Sequence, residues 1–137
     1  MRTVHLLFGA ALAAVLGCEP QSSGEVAGNP DTAITPAIDA TAPGNLVVTL
    51  SEWDLALSTD TIGAGDLAVQ IMNRGQGIHR LEVGGPAIQW VSDSLTSNAE
   101  TLAQLQLVPG TYELYCPIVT EQGSHRELGM IDTLVVR

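Results

Sequence analysis

The chain has 137 residues and a formal charge of −10, from 15 acidic residues against 5 arginines with no lysine. That length leaves room for one domain of modest core and argues against a multi-domain enzyme. The acidic balance gives nucleic acid no basic face to bind and favours basic partners instead.

Residues 1–17, MRTVHLLFGAALAAVLG, combine a charged start with an apolar run too short for a comfortable membrane span, and read as a secretory signal. The run ends in Val15-Leu16-Gly17-Cys18, which resembles the lipobox of bacterial lipoproteins. The resemblance implies cleavage before Cys18 and lipidation of its thiol, hence an exported protein held to a membrane on the periplasmic or outer side. The alternative is an ordinary signal peptide cleaved nearby. Two or more acyl chains on Cys18 would anchor stably, where one is marginal. Loss of Arg2 with the leader takes the charge from −10 to −11.

Residues 18–44 are rich in Pro, Gly, Ser, Thr and Ala and hold no aromatic side chain, so they cannot build a core and read as a flexible tether. Such a chain reaches on the order of 25–30 Å, enough for an anchored domain to swing between partners at a membrane surface.

Residues 45–137 read as the folded domain. Short alternating runs at 46–50, 53–58, 67–72, 79–83, 88–91, 103–107, 111–116 and 133–136 predict strands, with glycines at 63, 65, 75, 77, 84 and 85 between them. Seven to eight strands and no amphipathic helix of useful length predict an all-β, two-sheet Greek-key sandwich. Residues 94–100 fit either a short helical turn or a loop.

The stretch 112–130, YELYCPIVTEQGSHRELGM, concentrates the chemistry. With Cys18 assigned to the lipid, Cys116 is an unpaired thiol in an exported chain, a state that a metal or burial protects most easily. Cys116, His125 and Met130 offer soft sulfur and imidazole donors within fifteen residues. A His₂Cys set with a weak axial Met is the blue-copper combination, and His79 is the one further histidine outside the leader, where His5 lies. Strand alternation turns His79, Leu81 and Val83 to one face, and Tyr112, Leu114 and Cys116 likewise, so both candidate ligands leave core-facing positions at strand ends.

The segments GTYELYCP, SHRELGM and NRGQGIHRLEV resemble the cupredoxin family over residues 44–137. The Cys-x₈-His-x₄-Met spacing is longer than the plastocyanin or azurin loops and similar to the type 1 copper loop of copper nitrite reductases. The resemblance implies one type 1 copper per chain, with His79, Cys116 and His125 as the strong trigonal set and Met130 as the weak axial contact. It also implies one-electron transfer with redox partners such as a cytochrome or a membrane oxidase or reductase, and a surface position for His125 as the electron port. Many cupredoxins place Asn directly after the first ligand His; here Arg80 stands there, so a different tie must hold the ligand loops. Pro117 removes a backbone donor that could otherwise reach the Cys116 sulfur.

Each residue alone has a plainer reading: Cys116 as a small buried hydrophobe, His79 as a satisfied core histidine, Met130 as core filling, His125 as a loop histidine. Their joint occurrence favours copper. A zinc hydrolase would need an open coordination position and a general base, commonly in His-Glu-x-x-His, which is missing. A thiol nucleophile paired with His125 or His79 leaves Met130 and the second histidine unexplained. Reductases and oxidases of the multicopper kind need further histidines for a second copper, and none are to spare, so the chain reads as a carrier rather than an enzyme. The alternative from another class is a copper trafficking or storage protein.

Overall fold

The computed structural model describes residues 37–137. The leader, Cys18 and most of the tether lie outside them. The strands are β1 (Asn45–Ser51), β2 (Asp54–Leu57), β3 (Thr61–Ile62), β4 (Gly65–Asn73), β5 (Glu82–Gly85), β6 (Ile88–Val91), β7 (Glu100–Leu107), β8 (Gly110–Tyr115), β9 (Val119–Thr120), β10 (Gly123–Ser124) and β11 (Ile131–Val136), with a short helix α1 (His125–Leu128). Of these eleven, eight have four residues or more and answer to the eight alternating runs. The remaining three are two-residue pairings, too short to leave a periodic signature.

One sheet runs β2-β1-β4-β7 and the other β3-β11-β8-β5-β6, while β9 and β10 form a small hairpin of their own. Alternation builds the core between them. Leu46, Val48 and Leu50 of β1 and Leu67, Val69 and Ile71 of β4 are buried from one sheet, and Tyr112, Leu114 and Leu134 from the other, in a single cluster. The chain changes sheet at β2–β3, β3–β4, β4–β5, β6–β7 and β7–β8, which ties the two sheets into an all-β sandwich. The Tyr112 hydroxyl donates to the Val108 carbonyl at 2.9 Å and accepts from the Val108 N–H at 3.2 Å, closing the β7–β8 corner.

Two pairings decide what stands at one end of the sandwich. β1 and β4 are parallel with Leu50 opposite Asn73, so the turn after β1 and the loop after β4 emerge side by side. β8 and β11 are antiparallel with Tyr115 opposite Ile131, so the end of β8 and the start of β11 share that neighbourhood with the loop joining them.

The run predicted at 79–83 becomes a strand only from Glu82. His79 makes an isolated bridge to Leu95, with the His79 N–H on the Leu95 carbonyl at 3.1 Å and the Leu95 N–H on the His79 carbonyl at 2.9 Å. At Leu81 the Ser92 hydroxyl replaces a backbone partner, accepting the Leu81 N–H at 2.9 Å. The inward face is nevertheless the predicted one, since His79, Leu81 and Val83 are all buried. Residues 94–100 form a loop with a turn at Ser97–Asn98 that enters β7 at Glu100. At the tether's described end, Ile38 already bonds the domain, its N–H donating to Gln70 Oε1 at 3.1 Å.

Candidate metal centre

His79 arrives on the loop between β4 and β5, and Asn73 shapes that loop from within the core. Its wholly buried amide donates to the Gly77 carbonyl at 2.8 Å and the Leu95 carbonyl at 2.9 Å, while its oxygen accepts the Gly75 N–H at 2.9 Å. Cys116 follows β8 and continues its inward alternation. Its backbone N–H donates to the Met130 carbonyl at 3.0 Å, and the Met130 N–H donates to the His125 carbonyl at 3.0 Å. Three of the four predicted donor residues are therefore laced together through the backbone. His125 opens α1 and donates its N–H to the Ile118 carbonyl at 2.9 Å, and Gly129 closes the helix. At φ +128° and with a would-be Cβ 2.6 Å from the Trp53 carbonyl, Gly129 is a position only glycine fills without strain.

Three of the four predicted residues bring their donor atoms together in the core, and Met130 is buried close by. Cys116 and Met130 are fully buried, as is His79, and His125 is 3% exposed. The Cys116 sulfur lies 3.5 Å from His125 Nδ1 and 3.9 Å from His79 Nδ1. All three donor atoms fall within 4.8 Å of one another. With metal–nitrogen and metal–sulfur bonds of about 2.0 and 2.3 Å, one ion set between them would hold N and S about 3.5–3.8 Å apart. The donor set thus fits a single metal ion, and two imidazoles, one thiolate and a thioether in reserve suit copper.

Charge supports the same geometry. Burial first, and the neighbouring His79 second, push the His125 imidazole below its ordinary value, while Glu52 pulls the other way; the neutral ring is the form that binds metal. Glu52 sits in the β1–β2 turn with Oε1 3.0 Å from His79 Nε2. The Gly77 N–H holds its carboxyl down to about 2, with Gln76 and His79 adding to the effect against desolvation. A carboxylate accepts only, so His79 donates from Nε2 and keeps its Nδ1 lone pair for the centre.

One expectation is corrected. His125 is not at the surface: it is 3% exposed, and Trp53 covers it edge-on with ring centroids 4.7 Å apart. Its Nε2 finds no hydrogen-bond partner among the described residues. It lies instead on a largely apolar cleft of about 740 Å³ shared with Trp53, Ile78, His79 and Ile118. Sequence reasoning missed Glu52, Trp53 and Asn73. The Gly75 and Gly77 pair was the available signal that something packs closely on the loop before His79.

No protein-family model matches the sequence, and no curated protein matches it. Solved structures do. Dithionite-reduced auracyanin of Roseiflexus castenholzii superposes with a TM-score of 0.56 at 16% identity, over 70% of this chain and 98% of its own. Auracyanin A, a blue copper protein of Chloroflexus aurantiacus, gives 0.53 at 16%, over 70% and 100%. Reduced rusticyanin gives 0.52 at 16%, over 68% and 78%. The likeness is one of fold, and the sandwich is cupredoxin-like.

Proposed function

We propose that the chain carries single electrons on one copper held by His79, Cys116 and His125, with Met130 as the weak axial contact. The observation that carries this reading is the buried His–Cys–His cluster, its donor atoms within 4.8 Å, on a cupredoxin-like fold. Bound copper supplies a reversible one-electron couple between Cu(I) and Cu(II). The residues supply the rest. Cys116 and the two imidazoles converge from two connections, β4–β5 and β8–β11, each anchored at both ends in the sheets, which opposes rearrangement between oxidation states. Burial of all four residues keeps water from the donors. The cleft over His125 and Trp53 gives a partner an apolar approach to the centre, with Ile78, 52% exposed, on its wall.

The domain is exported and tethered to a membrane through a lipid on Cys18, in this reading, and meets a basic redox partner such as a cytochrome or a membrane oxidase or reductase. The signal-like leader and the −11 charge left after its removal support that placement. Replacement of Cys18 by serine then releases the protein from membranes; a wild type that washes off as easily contradicts the anchor.

Carrier and courier separate in one experiment. Reduced protein is mixed with a basic exported cytochrome, and both electron transfer and copper content are followed. The carrier reading expects repeated cycling with one copper retained, and burial of every donor opposes rapid metal exchange. Fast copper loss to an acceptor without reversible cycling contradicts it.

A further inference from the structure

The turn after β1 and the loop leading to His79 are built around a single carboxylate. Parallel pairing of β1 with β4 brings the two segments together, and Glu52 reaches across. Its Oε1 accepts the backbone N–H of Gln76 at 2.9 Å and of Gly77 at 2.5 Å, and its Oε2 lies 3.1 Å from the Gln76 nitrogen. A Cβ on Gly75 would stand 2.5 Å from Glu52 Oε2, and one on Gly77 would stand 3.0 Å from Oε1. The two glycines therefore leave the space that the carboxylate fills. The same Oε1 meets His79 Nε2 at 3.0 Å, with His79 wholly buried and the Glu52 side chain 29% exposed.

We infer that Glu52 is a positioning residue of the metal centre, fixing His79 with Nδ1 toward Cys116 and setting a negative charge behind the imidazole that favours Cu(II) over Cu(I). The inference rests on the copper reading of the His79–Cys116–His125 cluster. An oxygen already accepting two backbone N–H groups offers Nε2 only an acceptor, which commits the ring to one tautomer and one orientation. A fixed anion close to the centre stabilises the more positive oxidation state, in a partly solvated setting that weakens the effect without removing it. Arg80 provides no such tie, because its side chain donates to the Ser92 carbonyl at 2.9 Å. Glu52 and Asn73 hold this loop instead.

Glu52→Gln keeps the size of the side chain and removes its charge. The variant should load copper and shift the balance toward Cu(I) about tenfold, a rise of about 59 mV for a one-electron couple. Nitrogen-15 NMR of the metal-free wild type should find His79 protonated at Nε2. That preference should weaken in Glu52→Gln, and Glu52→Asp should restore part of both effects. An unchanged potential in copper-loaded Glu52→Gln overturns the inference. So does a metal-free wild type with His79 protonated at Nδ1, a result that needs no variant to fold. A wild type that binds no copper removes the copper reading by itself, and the metal-free tautomer then still decides whether Glu52 fixes His79.

Discussion

Cys116 and His125, nine residues apart in the chain, meet with sulfur and Nδ1 3.5 Å apart, and neither is open to solvent. Between them the chain leaves the end of β8 and runs through the β9–β10 hairpin to the first residue of α1, so a local excursion closes on itself around the thiol. The Cys116 N–H on the Met130 carbonyl, at 3.0 Å, shuts that excursion at its base.

Met130→Leu deletes the thioether and conserves volume at a fully buried position. Stability should fall by less than about 1.5 kcal/mol. Copper and colour should remain while the reduction potential rises, because only a weak axial donor that favours Cu(II) has gone. Voltammetry with metal analysis checks this; loss of copper here, with His79→Ala and His125→Ala still loaded, would reverse the assigned roles.

Asn73→Ala removes the amide that serves Gly77, Leu95 and Gly75 in a fully buried position. Stranding the Gly77 carbonyl and the Gly75 N–H, while the Leu95 carbonyl keeps the His79 N–H, should cost about 2–3 kcal/mol of unfolding free energy, read from denaturant titration of the metal-free protein. A loss within experimental error would mean that the loop before His79 holds itself.

Ile78→Asp places a charge on the wall of the apolar cleft. Ile78 is 52% exposed, so stability should stay within about 0.5 kcal/mol. At high salt, where attraction to a basic partner is screened, the rate of electron transfer should drop, since a desolvated charge opposes close apolar contact. The wild-type rate should itself fall as salt is raised, given the −11 left without Arg2. Equal rates for variant and wild type would place docking elsewhere.

Much of this centre could be read from the sequence, because alternation is a local property. It turns Cys116 inward after Tyr112 and Leu114, and turns His79 inward with Leu81 and Val83, and all six are buried. What was hidden depends on pairings between distant segments. Glu52 meets His79 only because β1 and β4 lie parallel, and Trp53 covers His125 from the same turn. Neither contact leaves a periodic trace. The start of β5 was misplaced because the Ser92 hydroxyl takes a backbone partner's role opposite Leu81. β7 reaches back to Glu100 through its register with Met72, and an Arg74–Glu100 ion pair at 2.6 Å stands at that end. The four-residue helix α1 is too short for a helical period and is defined by its glycine stop.

The most direct test of the central claim is copper content measured together with the visible spectrum of the purified oxidised protein, wild type beside Cys116→Ser. A short Cu(II)–thiolate bond gives intense visible charge transfer, so the wild type should carry one copper per chain and strong colour, and the serine variant should lose the colour. A wild type that takes up no copper, or a Cys116→Ser spectrum identical to the wild type's, would contradict the assignment of this centre.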